Sequence, residues 1–386
     1  MKQRQHDLDA VRAIFMLMGI PLHTVGNVST LYSSDEFPFV FNLIPGSIQL
    51  FRMQGFFLIA GYFSAMLLSR MSARAFLLKR SQRLLPPLAT GLLLVIPLRR
   101  LVDVLRQGEA EPLFPAWWSA IAEPRLYATG HLWFLLDLIY FTVAAAAACL
   151  LLGRPSKKAS ALKNAGSWKM GLIFFGIFLA VFLWEMLVAE LDQALPELRS
   201  SRLAVSFALH YAPFFAMGIG LWCVPVLDER YREWSWFSFV IGGTMMFLSL
   251  KLPAFLPSQL IPVVRCLTTF FVIQVFLGAA YRWFSVDRRW VRYLVDASFT
   301  VYIIHLLIVQ LLVWLLQSTS LNPWAMFSVV LFGTLLLSFA FWEICARSAT
   351  LRYWWGGPPL APEHRQKQRH QPGDPRNSET ELQLER

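Results

Sequence analysis

The stretch "RAIFMLMGIPLH", residues 12–23, is apolar except for an arginine at one end and a histidine at the other. Eleven steps of an α-helix at about 100° each close roughly three turns, so a helix here sets Arg12 and His23 on one face, about 16 Å apart along the axis. The stretch lies in a longer apolar run, residues 10–31, of the length needed to cross a bilayer. An arginine at the bilayer centre costs about 2.5–3.5 kcal/mol on insertion scales, so such residues normally face a bundle interior or a wet cavity. The stretch therefore predicts a membrane helix with one polar face turned inward. Pro21 removes a backbone hydrogen bond just before His23 and predicts a bend toward that cavity.

The rest of the chain agrees with this reading. Of 386 residues, 56% are hydrophobic and only 15% charged, against about 25% charged in soluble domains. An all-α, polytopic helical bundle follows. Ten apolar segments are long enough, or nearly long enough, to span: 10–31, 47–69, 84–104, 131–152, 169–189, 203–224, 235–251, 260–281, 294–316 and 324–345. The seventh is short, and charges interrupt the third. With the N-terminus in the cytoplasm, 25 Lys and Arg fall on the inner side and seven on the outer side. That bias predicts both termini in the cytoplasm and a multi-pass protein of the bacterial inner membrane. It also accounts for the net charge of +11 without nucleic acid as a partner. The first segment is long and no small-residue cleavage site follows it, so it is expected to stay as a span rather than leave as a signal peptide. Residues 1–350 are expected to form one transmembrane domain. Residues 351–386, rich in Pro, Gln and charge, are expected to form a disordered cytoplasmic tail. The four cysteines show no CxxC and no metal spacing, and the histidines lie on separate spans, so no metal site is predicted.

The ten-segment topology orders the polar residues by depth. Arg12 falls near the inner edge of the first segment and His23 in its outer half. Arg52, His131, His210 and Arg265 fall in the outer parts of their segments, and His305 in the middle or outer part of the ninth. Four histidines on four segments thus share one side, which predicts a polar chamber open toward the outside. Structural alternatives stand beside this reading. Asp9, three residues before Arg12, is placed for a local ion pair. Arg52 and His131 are also placed to snorkel, and His210 and His305 to be hydrogen-bonded core histidines. At the inner mouth, "LLKRSQRLLPP" sets Arg80 and Arg83 on one helical face. They are either positive-inside charge or a phosphate clamp, because guanidinium presents forked donors to phosphate oxygens. "IAGYF" and "GHLWFLLDL" either line a ligand or pack helices. Asp137, Glu185, Asp296 and Glu343 lie in or near segments, with partners that the sequence does not give.

These residues resemble the acyltransferase 3 family of membrane acyltransferases. The resemblance rests on Arg-x10-His in the first span (Arg12, His23), Arg-x-x-Arg at the third (Arg80, Arg83) and "FFLIAGYF" in the second, where Ala60 stands in place of the usual Ser. It covers about residues 7–345. The stretches "LDAVRAIFMLMGIPLH", "FRMQGFFLIAGYFSAML", "HLWFLL" and "DASFTVYIIH" are closest to a branch implicated in succinylating osmoregulated periplasmic glucans. Leu306 follows His305, where a polar residue or Pro is expected.

The resemblance implies an acyltransferase with no permanently bound cofactor. Its donor would be a cytoplasmic acyl-CoA, in this branch succinyl-CoA, and its acceptor a periplasmic glucan hydroxyl. The expected partners are the bilayer, these two substrates and the glucan-synthesis machinery. His23 and Arg12 are the expected catalytic pair, Arg80 and Arg83 the donor-phosphate site, and Arg52, His131, His305 and Tyr62 the substrate-binding residues. His23 would act as general base, its ordinary pKa being suited to that task, while an acyl-His intermediate is equally compatible with the sequence. Three rival readings remain: an O-acetyltransferase of another envelope polysaccharide, a secondary transporter, and a membrane partner of a glucan synthase. A transporter often shows repeated halves with paired broken helices, and no such symmetry is visible in this sequence.

Overall fold

A computed structural model describes residues 5–108, 112–122, 130–157, 166–195, 205–251, 260–286 and 288–358, which form helices and connecting turns with no strand among them. The first apolar segment folds as α1 (His6–Leu17) and α2 (Gly19–Val28), joined at Met18. The break has a local cause. Pro21 has no N–H to give the Leu17 carbonyl, so the ladder is interrupted there. Met18 keeps right-handed helical dihedrals, and the two helices still run as one span, His6–Leu31. The chain returns through α3 (Phe39–Gln49) and α4 (Arg52–Leu68). We call the end of the bundle that holds the N-terminus the lower end, and the end that holds the α3–α4 corner the upper end.

The charged third segment is the least regular. It comprises α5 (Ala73–Thr90), a π-helical turn (Gly91–Val95) and α6 (Ile96–Gln107). Pro86 and Pro87 lie inside α5 and leave the Gln82 and Arg83 carbonyls without their helical donors. Next come α7 (Leu113–Ala122), α8 (Trp133–Leu152) and α9 (Ser167–Ala194). They are followed by α10 (Val205–Cys223), α11 (Pro225–Tyr231), α12 (Trp236–Lys251) and α13 (Leu260–Trp283). The long α14 (Arg289–Leu316), α15 (Pro323–Ala346) and the short α16 (Ala349–Trp354) complete the described chain.

Each of the ten predicted apolar segments falls on helix. Among the described residues, seven helices are long and apolar enough to cross a membrane, or eight if α10 and α11, bent by 115°, count as one span. Two of the predicted ten do not meet that standard. α12 is shorter than the rest, and the third segment is divided among α5, a π-helical turn and α6. The chain is an all-helical, multi-pass membrane protein. Residue 351, where the sequence places the start of a tail, falls inside α16. That helix is packed: Thr90 Oγ1 donates to the Trp354 carbonyl at 2.9 Å, and Thr300 Oγ1 to the Trp355 carbonyl at 3.0 Å. The remainder of the expected tail, residues 359–386, lies outside the described residues, as do the predicted loop charges at 158–165 and 199–202.

α4 and α10 approach so closely that no Cβ fits at their crossing. A side chain at Gly61 would collide with the Phe215 carbonyl, and one at Gly218 with the Leu58 carbonyl. This is the small-residue contact by which membrane helices bring their backbones together, and it is the packing reading of "IAGYF". Gly218→Val should therefore lower stability by at least the ~1–3 kcal/mol typical of overpacking. The effect should appear as a reduced Tm and lost monodispersity in detergent. Gly220→Ala, whose Cβ would meet nothing within 4 Å, should match wild type in both measurements.

Candidate active site

Near the upper end, α2, α4, α14 and the 3₁₀ turn that precedes α8 bring polar side chains into the apolar interior. His305 is the hub. Its ring centroid lies 5.4 Å from that of His23 and 5.5 Å from that of His131. Three of the four histidines placed on one side by the sequence thus meet. His305 and His131 are buried, whereas His23 is partly accessible.

The hydrogen bonds assign the ring protons. His305 Nδ1 donates to the Tyr302 carbonyl at 2.6 Å, so in the neutral ring Nε2 carries a free lone pair. That atom is buried without a partner. His131 Nε2 donates to the Ile303 carbonyl at 2.9 Å, which leaves its Nδ1 to face Arg99 Nη1 at 3.5 Å. The Tyr302 hydroxyl donates to the His131 carbonyl at 2.8 Å and ties the histidine turn to α14.

Arg52 closes the cluster from the first turn of α4. It is 6% exposed, and its Nε and Nη1 have no hydrogen-bond partner. A methyl group added at Gly19 would lie 2.7 Å from Arg52 Nη1 and 3.4 Å from His305 Nε2. The bare Cα of Gly19 therefore keeps a gap between an unused donor and an unused acceptor. His23 sits one helical turn beyond Gly19 on the same face of α2. A donor and two imidazoles around one small space form an arrangement that can polarise a carbonyl and accept a proton.

Arg99 joins this cluster from α6. Its Nε donates to Gln310 Oε1 at 2.8 Å, and the Gln310 amide donates to Asp103 Oδ1 at 3.0 Å. Gly130 has φ of +52°, and a side chain there would collide with Arg99. Only glycine lets the turn carry His131 this close to Arg99. A cavity of about 110 Å³ opens beside Arg99, Asp103 and Gly130.

A second basic group lies lower, where α1 and α5 face α4 and α14. Arg12, Arg80 and Arg83 line a cavity of about 50 Å³. The Asp9–Arg12 ion pair anticipated from the sequence is present at 3.0 Å, yet Arg12 still borders the cavity and sits 5.4 Å over the Phe63 ring. Arg80 Nη2 donates to Ser64 Oγ at 2.8 Å. An aromatic layer separates this cavity from the histidines. Phe134 is 4.4 Å from Tyr302, 5.7 Å from Phe56 and 6.2 Å from Phe299, centroid to centroid.

Two other expected residues lie away from the cluster. The Tyr62 hydroxyl donates to Asp228 Oδ2 at 3.3 Å at the lower end. There Arg232 bridges Asp7 at 3.0 Å and Asp228 at 3.6 Å, fastening α1 to α11. His210 pairs with Glu185 at 2.8 Å and Asp192 at 3.2 Å, beside a separate cavity that Arg265 also lines. Of the carboxylates without assigned partners, Glu343 accepts from the Tyr293 hydroxyl at 2.7 Å, and Asp137 is buried with neither oxygen bonded.

The sequence reading missed Gly19, Arg99 and Tyr302. Arg99 counted only as an outer charge, although its position inside an apolar segment was a usable signal. Among the described residues, no three His, Cys, Asp or Glu side chains are grouped to hold a metal ion.

A chain with two basic levels joined by one set of membrane helices, and imidazoles at the upper level, has the parts of a membrane acyltransferase. It belongs to the acyltransferase 3 family, whose acyltransferase domain matches residues 5–343. Among curated proteins it is similar to the glucans biosynthesis protein C of Salmonella schwarzengrund and of Salmonella typhimurium. Each is 26% identical over 323 residues, which cover 78% of this chain and 81% of the relative. No solved structure matches the chain.

Gly19→Ala tests the gap. The substitution should leave Tm within about 2 °C, because alanine favours helix over glycine by about 1 kcal/mol and the obstructing atoms end flexible side chains. Acyl transfer should fall at least tenfold, because the methyl fills the space between Arg52 and His305. Unchanged transfer would show that the gap has no part in the chemistry.

Proposed function

We propose that this protein moves an acyl group, succinyl from cytoplasmic succinyl-CoA, across the bacterial inner membrane to hydroxyls of periplasmic glucans. The observation that carries the proposal is the stacking of two sites on α1–α2, α4 and α14: the Arg12, Arg80 and Arg83 cavity below, and the His23, His305, His131 and Arg52 cluster above. The relatives named for glucan biosynthesis support the acceptor class.

In this reading Arg80 and Arg83 hold the nucleotide phosphates at the lower end, where forked guanidinium donors suit phosphate oxygens. The pantetheine arm rises past Arg12 and through the aromatic layer, which must part to let it pass. The thioester carbonyl lies in the gap at Gly19, with Arg52 Nη1 donating to its oxygen. His23, the most accessible of the three imidazoles, takes the proton of the acceptor hydroxyl as its oxygen attacks the thioester carbon. The tetrahedral oxyanion is stabilised by Arg52, whose unused donors need no reorganisation. Collapse breaks the C–S bond, and the proton on His23 passes to the departing thiolate. His305, fixed through Nδ1, holds the ring of His23 from the side. The free carboxylate of a succinyl group requires a cation, and Arg99, beside His131, is placed to supply it.

Cells lacking the gene, complemented at matched membrane levels, test this reading. Wild type should restore succinyl groups on periplasmic glucans, seen as added anionic charge on ion exchange and confirmed by mass spectrometry. His23→Ala should restore less than 1% of them. Full restoration by His23→Ala would remove this histidine from the chemistry. Glucans unchanged in every strain would point to another acceptor polysaccharide or to transport. The donor claim has its own test: Arg99→Gln should reduce succinyl transfer by tenfold or more and acetyl transfer by less than threefold. An equal loss for both donors would contradict the role of Arg99.

A further inference from the structure

A large cavity lies outside the proposed reaction centre. Its volume is about 690 Å³, within the ~300–1,000 Å³ of small-molecule sites. It sits at the upper end, between α3, α9, α10 and α13, and neither the histidine cluster nor the basic cavity shares a lining residue with it. On α3 the lining residues Phe39, Asn42, Gly46 and Gln49 recur every three or four positions and so form one face. Across from them stand Glu185, His210 and Arg265.

The chemistry of these walls is specific. His210 is held by Glu185 on Nδ1 and by Asp192 on Nε2, so its ring is fixed by carboxylates on two sides. Gln54 also lines the cavity, and its Oε1 is buried without a partner. Asn42 and Gln49 are exposed and turn amide donors and acceptors to the same space. Phe39, 58% exposed, offers an aromatic face at the rim. A lipid chain placed here would leave Gln54 Oε1 buried without a partner, and would offer nothing to the exposed amides or to the Arg265 guanidinium. A sugar ring satisfies all of them: its hydroxyls donate to Glu185 and Gln54, accept from Asn42, Gln49 and Arg265, and its C–H face packs against aromatic carbon.

The relation to the reaction centre comes from α4. Arg52 and Gln54 are two residues apart, which is about 200° around a helix. One faces the histidines and the other faces this cavity. A single sugar cannot occupy both places, but a polymer crossing the α3–α4 corner can. We propose that the cavity is a distal saccharide subsite: it grips one sugar unit of a polymeric acceptor while another unit presents its hydroxyl to His23. This inference rests on the glucan reading above.

The test uses the full-length protein in lipid nanodiscs, with succinyl-CoA as donor and either a glucan polymer or free glucose as acceptor. Two variants are compared with wild type, each checked for native Tm. Asn42→Ala alters an exposed side chain, and Glu185→Gln removes a charge while keeping the shape. Both should raise the KM for the polymer at least tenfold, leave kcat within twofold, and leave the KM for glucose unchanged. A fluorescently labelled glucan oligosaccharide should bind wild type and lose at least tenfold in affinity to both variants. The binding assay does not depend on turnover, so it separates this inference from the activity. If wild type binds the oligosaccharide but fails to acylate it, the glucan reading fails while the subsite stands. Unchanged polymer KM and binding in both variants would overturn the subsite. Equal KM increases for polymer and glucose would overturn it as well, by placing these residues at the reacting hydroxyl.

Discussion

The burial of Arg52 is the constraint on which the architecture depends. A guanidinium that is 6% exposed, with two nitrogens unpaired, is costly in any interior and more so in a membrane bundle. The surroundings are arranged to keep that donor unused. Gly19 withholds the side chain that would crowd it, His305 spends Nδ1 on a backbone carbonyl and leaves Nε2 open, and Tyr302 is committed to the His131 carbonyl. Polar groups left unsatisfied in this way are rare in folded proteins and call for a specific reason. A transient oxyanion or carbonyl in the gap would supply the missing partner.

The helix interruptions serve the same end. Pro21 breaks the first span between the two levels of the site, and the paired prolines of α5 free carbonyls beside the basic cavity. In lipid, irregular backbone is tolerated only where it is buried in protein or lines a cavity, and both breaks satisfy that condition. Between the levels, Phe56, Phe134, Phe299 and Tyr302 fill the interior with rings. On the proposed function, a donor arm passing between the levels would need side-chain rotation, whereas the helices that carry both levels could stay in place.

Much of this architecture was legible in the sequence, for reasons that differ by element. Long apolar runs and the asymmetry of Lys and Arg identify membrane helices because hydrocarbon rejects unpaired backbone and charge. His23, Arg52, His131 and His305 stood out by the same logic, and depth alone was enough to group them. Lateral position was not available from depth. His210 lies at the upper end, as the histidine cluster does, yet α10 turns it toward Glu185 and Asp192. Tyr62 shares α4 with Arg52 but lies ten residues further along, at the lower end with Asp228. Arg99 was hidden because it stands beside Arg100 near the end of its segment, where it counted as an outer charge, and its packing on α14 through Gln310 shows that it belongs to the interior. Gly19 left no signal at all, since its role is the space it does not fill.

The central claim is that one chain takes an acyl group from a nucleotide donor at its lower end and delivers it to a sugar at its upper end. The most direct measurement is transfer in sealed proteoliposomes with the protein in one known orientation. Succinyl-CoA is supplied on one side only and glucan on the other. The account predicts succinylated glucan when the donor is on the Arg80 and Arg83 side and the glucan on the opposite side, with none when the two are exchanged. Transfer that requires donor and glucan on the same face, or that proceeds equally in both arrangements, would contradict it.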